Sequence, residues 1–167
     1  KNNDFNYFVN NLKKIKLEFL SKYKDYNLYK NYSELDIMII GSMIEKEGLD
    51  YRDKKKIASV IINRLNKNMK LQIDATVVYI VTDGKNNLNR NLNYSDLKII
   101  NPYNTYVFKG LPPKPISYVG TKTIDIILER YKSDFLFYFF DNIIKKHIFS
   151  ENYDQHRTKL NEYRDKK

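Results

Sequence analysis

The sequence predicts an α+β fold in a single domain, with helices packed around one central helix and a small antiparallel sheet. Three observations predict it. Apolar residues recur at helical spacing in several separate stretches, one of which ends on Glu47 directly before Gly48. An aromatic run at 135–140 and a short run at 147–150 flank a polar turn, as the arms of a hairpin do. The 167 residues suffice for one core, and no internal repeat marks a solenoid. Residues 1–32 read as a helical lead-in and residues 33–167 as the main domain.

From Asp4 to about Tyr23, Phe5, Phe8, Val9, Leu12, Ile15, Phe19 and Leu20 follow a helical period and predict a packing helix. Asp25–Tyr32 is a polar, Tyr-rich connection. The central helix spans Ser33–Gly48. Ser33 is placed to cap it, Asp36 stands where a capping box puts its acid, and Gly48 is suited to a left-handed closing residue. Ile57, Val60, Ile61 and Leu65 form the buried face of the next helix, with Arg64 on the same side. A buried-side Arg either meets a carboxylate or substrate oxygen, or packs its stem while its head reaches water. Met69–Asp74 alternates apolar and polar residues as a strand does, with Gln72 and Asp74 on one face. The following ATVVYIV favours a strand by propensity, while a short helix from Ala75 capped by Asp74 is the competing reading. Asp83–Asn93 reads as a solvated loop, and Ser95–Lys98 as a helical turn. Asn101–Gly120 holds all four prolines and little periodicity, a long irregular segment of the kind that is often functional. Thr121–Tyr131 is a short helix with Ile124, Ile127 and Leu128 inward. A hairpin of Phe135–Phe140 and His147–Ser150 follows, then a polar helix from Glu151 to about Arg164.

Within the central helix, Ile40, Met43, Ile44 and Glu47 share a face, while Glu45 points elsewhere. The negative end of the helix dipole and apolar neighbours both disfavour a charged Glu47. A carboxyl group kept neutral near pH 7 is what a general acid requires. The plainer reading is a frayed helix end with Glu47 in water.

Composition bounds the rest. With no cysteine, disulfides, thiol nucleophiles and Cys-ligated metal sites are excluded. No apolar run approaches the roughly 18 residues of a membrane span, and none has a signal-peptide pattern. The chain begins at Lys1 rather than Met, so a fragment of a longer protein is expected. The net charge of +10 raises the question of nucleic acid. Its lysines are scattered, however, and accompany Asn, Ile and Tyr, all residues of AT-rich codons. Genome composition thus accounts for much of the charge, and no nucleic-acid partner is expected.

Several blocks in order carry a resemblance: SMIEKEG at 42–48, KIASVIINRL at 56–65, MKLQIDATVVY at 69–79, DLKIINPYNTY at 96–106, GLPPKPI at 110–116, DFLFYFFD at 134–141 and HIFSENYDQH at 147–156. Together they resemble the catalytic domain of the endolytic murein transglycosylases of the MltG type, the YceG-like family. The resemblance covers about Leu35 to the C-terminus. It implies non-hydrolytic cleavage of the β-1,4 bond between N-acetylmuramic acid and N-acetylglucosamine in peptidoglycan glycan strands. The family's essential glutamate falls on Glu47, which would protonate the leaving oxygen and then take the proton of the muramic C6 hydroxyl, leaving a 1,6-anhydro end. One carboxyl group serves both steps, so the carboxylate pair of most glycosidases is not needed.

The resemblance also implies that Asn63, Arg64, Gln72, Asp74, Thr76, Asn104 and Thr105 hold polar motif positions suited to acetamido, hydroxyl and lactyl groups. Tyr79, Tyr103 and Tyr106 are candidates for stacking on sugars, and His147 and Ser150 for facing the groove. For Asp74 a helix cap, and for Tyr103 and Tyr106 core packing, are the structural alternatives. No metal or cofactor is implied. Family members commonly have Pro where Ala75 stands and Gly where Lys114 stands. Their full-length forms carry a membrane anchor and a small LysM-like region, and imply action outside the bacterial cytoplasmic membrane, with peptidoglycan synthases as a further partner class. Two other functions compete: a hydrolase in which Asp74 or Glu45 activates water, and a basic nucleic-acid-binding module.

Overall fold

A computed structural model describes residues 2–21, 31–85 and 88–166. It divides into two compact units, Lys1–Glu34 and Leu35–Lys167. The first holds α1 (Asn2–Ser21). The helix forms where its period predicts, but Phe5, Phe8 and Leu12, expected on a packing face, are exposed. The expected Tyr-rich connection lies largely outside the described residues.

The second unit is α+β. Its elements run α2 (Glu34–Glu47), α3 (Tyr51–Asn66), α4 (Asp74–Thr82), a 3₁₀ turn (Asp96–Lys98), α5 (Thr121–Glu129), β1 (Phe137–Asp141), β2 (Lys146–Ser150) and α6 (Tyr153–Asp165). Helix α2 is the centre: Ile37, Ile39, Ile40, Gly41, Ser42, Met43 and Ile44 are all buried. A helix buried around its whole circumference must be enclosed on every side. Gly41 permits one such contact, since a Cβ there would stand 2.6 Å from Val119. Gly48 ends α2 with its N–H on the Ile44 carbonyl at 2.9 Å. It does so without the left-handed backbone the sequence suggests, because among the described glycines only Gly84 and Gly110 have positive φ. What Gly48 provides is room, as a Cβ would fall 2.3 Å from the Lys54 side chain.

Helix α3 is capped by Asp50, which accepts from the Asp53 N–H at 2.9 Å. The strand expected at 69–74 is absent. Leu71 and Ile73 are buried while Gln72 and Asp74 are exposed, so the alternation is real. Gln72, however, has φ 52°, which breaks an extended run. Among the described residues no strand pairs with the segment. The Arg64 guanidinium takes the Lys70 and Leu71 carbonyls at 3.1 and 2.8 Å, and Thr105 serves the N–H groups of Gln72 and Ile73. The β-branched ATVVYIV forms α4, tertiary contacts overriding propensity. Asp74 is not its cap: Ile73 holds the cap position and its own side chain makes no cap bond.

Residues 99–120 contain no helix or strand, yet Asn104, Thr105, Ile116 and Val119 are buried. Asn104 orders the segment by donating to the Leu97 and Ile99 carbonyls and accepting the Tyr106 N–H. The predicted hairpin is present and antiparallel, pairing Tyr138 with Phe149 and Phe140 with His147. Asp141 closes its turn by accepting the Ile143 and Ile144 N–H groups. These four paired residues share one face. The opposite face meets α6 through Phe137 and Phe139 against His156 and Tyr163.

Candidate active site

Glu47 is the last residue of α2 and is half-buried. Its carboxylate is bonded on both oxygens. The Ala75 N–H, in the first turn of α4, donates to Oε1 at 3.1 Å, and the Tyr138 hydroxyl on β1 donates to Oε2 at 3.2 Å. The carboxylate thus lies between the C-terminal end of its own helix and the N-terminal end of another, whose free N–H groups favour negative charge. Burial pushes its pKa above the ordinary glutamate value, and the net shift is upward. The Ala75 N–H opposes this, the Asp74 charge adds to it, and Tyr138 and His147 oppose it. The Tyr138 phenol is itself pushed well up by burial and by Glu47, so it remains a donor.

Two cavities of about 280 Å³ each open on Glu47, and Asp74 lines both. One is framed by Lys46, Val78, Tyr79 and Ile116. The other is framed by Gln72, Tyr106, Tyr138, Phe140 and His147. Two cavities that share the Glu47 carboxyl group suit a chain-like substrate that extends both ways from the bond being cut. Among the described residues no group of His, Asp and Glu could hold a metal ion.

Glu45, two residues earlier, serves another helix. It accepts the Gly120 N–H at 2.9 Å, at the start of α5, and pairs with Lys54. Burial pushes its carboxyl up, but Lys54, Thr123 and Gly120 outweigh burial and hold it below the ordinary value. The two glutamates of IEKE therefore face different helix N-termini, one ionised and paired, the other with raised proton affinity.

The other sequence-predicted residues divide by location. Asp74 lies beside Glu47 and accepts a 2.5 Å bond from the Tyr106 hydroxyl, whose pKa burial and that carboxylate push upward. Gln72, Tyr79 and His147 also line the groove. Tyr103 lies behind Tyr79, with ring centroids 4.9 Å apart. Arg64 borders the aromatic cavity, its Nε donating to the Leu136 carbonyl and its Nη1 to the Lys70 and Leu71 carbonyls and Gln72 Oε1, and its guanidinium lies 5.0 Å from the Phe137 ring centre. Thr76 and Thr105 are buried and joined by a 3.0 Å hydroxyl bond. Asn104 is equally buried. Asn63 donates to the Ser133 and Phe135 carbonyls, away from Glu47. Ser150 is fully buried, its hydroxyl without a partner among the described residues, and it lines neither cavity. These residues build the groove's frame more than its surface.

Sequence reasoning missed Tyr138, Phe140 and Asp53. The period of two in FLFYFF placed Tyr138 and Phe140 on one face, but nothing in the run told which face would meet Glu47. Asp53 reads only as a first-turn acid of α3. In the structure its Oδ2 lies 2.8 Å from His147 Nδ1.

Comparison with known proteins fits this arrangement. The model of the YceG-like family matches residues 3–162. The endolytic murein transglycosylase of Bacillus subtilis (strain 168) is 34% identical over 145 residues, covering 87% of this chain and 39% of that protein. The protein of the same name from Streptococcus pneumoniae serotype 2 (strain D39) is 32% identical over 149 residues, covering 86% and 26%. A crystal structure of a yceG-like protein from Listeria monocytogenes superposes with a TM-score of 0.73 at 37% identity, covering 83% of this chain and 44% of that one. The chain thus spans less than half the length of these relatives. Its match runs through all the groove-forming elements, from α2 to β2, and on that ground the chain belongs to the YceG-like family.

Proposed function

We propose that this chain is the catalytic part of a lytic transglycosylase that cuts the β-1,4 bond between N-acetylmuramic acid and N-acetylglucosamine within peptidoglycan strands. The observation that carries the reading is one carboxyl group of raised proton affinity lining two cavities at once. The names of the curated relatives point the same way. In the first step protonated Glu47 gives its proton to the bridging oxygen as the C1–O4 bond breaks. In the second, the Glu47 carboxylate takes the proton of the muramic C6 hydroxyl as O6 bonds to C1. No water is consumed: the first proton leaves with the O4 hydroxyl, and the C6 hydroxyl supplies the one that restores Glu47. The Ala75 N–H and Tyr138 hydroxyl hold the carboxylate while it is charged. Raised proton affinity serves the first step, and these two donors limit the cost of the second.

The reading further implies action at the outer face of the bacterial cytoplasmic membrane, alongside peptidoglycan synthases. Among the described residues no helix is long and apolar enough to cross a membrane.

Hydrolysis is the second reading, and one observation favours it: Asp74 lines the same cavities as Glu47 and could activate a water. Glu45 is less suited to that task, being engaged by Lys54 and Gly120. Product mass decides between them. Digestion of purified glycan strands is expected to release anhydro ends, lighter than reducing ends by one water. Reducing ends alone would overturn the transglycosylase reading.

A further inference from the structure

Asp53 stands in the first turn of α3 but is not the helix cap, since Asp50 fills that role. Its Oδ2 accepts the Leu49 N–H at 3.0 Å and meets His147 Nδ1, on β2, at 2.8 Å. Both side chains are nearly enclosed, 11% and 6% exposed. Burial pushes the Asp53 carboxyl up, but His147 and the Leu49 N–H outweigh it and hold the carboxyl below its ordinary value. An ionised carboxylate can only accept, so the proton between the two lies on Nδ1. Nδ1 carries this proton in the cationic and in the neutral ring alike, and in the neutral ring the lone pair is then at Nε2.

The ring is further fixed by Tyr138, edge-on with centroids 5.4 Å apart, and by Phe140 at 5.2 Å. His147 lines the aromatic cavity together with Glu47 and Tyr138. With Nδ1 engaged, Nε2 is the ring nitrogen left for a further partner. No partner reaches Nε2 among the described residues, and it is not one of the buried atoms without a partner. It is therefore open.

We propose that Asp53 is a positioning residue: it holds His147 by Nδ1 so that Nε2 faces the cavity beside Glu47 as an acceptor for a sugar O–H or N–H. The proposal rests on the glycan-cleaving reading of the site. It differs from a purely structural pin between α3 and the hairpin, because it requires one particular tautomer with a task in the groove.

Nitrogen-15 NMR of the His147 ring tests it without turnover. The wild-type protein is expected to show Nδ1–H, and its Nε2 resonance to move when purified glycan strands are added. Asp53→Ala is expected to shift the ring toward Nε2–H and to lower kcat/KM by about 10- to 100-fold, the size of one hydrogen bond to a charged group. His147→Ala should lose a similar factor, and the double variant no more than His147→Ala alone. Asp53→Asn, which keeps an acceptor oxygen, should recover much of the loss. A wild-type ring in the Nε2–H form, an Nε2 resonance indifferent to glycan, or losses that multiply in the double variant would each overturn the proposal. A wild-type enzyme that cuts no glycan would instead overturn the cleavage reading, with the tautomer and glycan shift still deciding the role of Asp53.

Discussion

Glu47→Gln separates catalysis from stability. The substitution keeps an oxygen for the Ala75 N–H and exchanges the acceptor of the Tyr138 hydroxyl for an N–H donor, which the phenol oxygen can accept. One hydrogen bond is rearranged and none is removed, so the change in stability from this source should stay within about 1 kcal/mol. For a chain of this size that corresponds to a Tm shift of about 2–4 °C at most. Turnover should collapse. A positioned proton donor is worth about 10²- to 10⁴-fold, and here a single group performs both transfers, so a loss of at least about 10³-fold is expected. The pH dependence supplies the sign. Glu47 has a raised proton affinity in the fold, so the folded state binds its proton more tightly than the unfolded chain does. Its contribution is fully present below the unfolded pKa and is lost as pH rises through the folded one. The variant, which has nothing to ionise, should therefore gain on wild type as pH rises, and the gap should close in acid. Thermal melts at several pH values, paired with chromatographic assay of muropeptide products, measure both effects. Near-normal turnover in the variant, or a stability gap that widens as pH falls, would refute the reasoning.

Tyr138→Phe removes a donor that lowers the Glu47 pKa, so the alkaline limb of the kcat/KM profile should move to higher pH. An unmoved limb would mean that Glu47 does not set it. Arg64→Ala strands the Leu136, Lys70 and Leu71 carbonyls and should cost about 3–5 kcal/mol by chemical denaturation. Arg64→Lys should recover little of this, because one ammonium cannot span the same acceptors. Asp74→Asn should reduce the rate while the products stay anhydro-ended, which mass spectrometry would show. A loss of all cleavage with the fold intact would favour the hydrolase, in which Asp74 activates water.

Where the sequence misled, the cause lay in partners distant along the chain. The alternation at 69–74 correctly foretold which side chains are buried, yet no strand forms there. Arg64 and Thr105 occupy the backbone groups that a ladder would need. Propensity left 75–81 undecided between strand and helix. The placement that the fold chose sets the Ala75 N–H against Glu47. A hydrogen bond across 28 residues leaves no periodic trace in a sequence.

Local pattern was sufficient for the central helix, its terminal glutamate, the phase that separates Glu47 from Glu45, and the hairpin. Each depends on side-chain spacing within one element, which the chain writes directly. The roles of the motif residues were decided only by tertiary structure. Thr76, Asn104 and Thr105 look like substrate ligands in a linear reading, but in the fold their side chains are buried and bonded to backbone or to one another, while Arg64 borders the cavity with its Nε and Nη1 on backbone carbonyls. Tyr138 and Asp53 look unremarkable in sequence and stand, respectively, on Glu47 and on the histidine beside it. The physical reason is that a polar group's task is set by which partner reaches it first, and in this fold those partners come from helices and strands far apart in the chain.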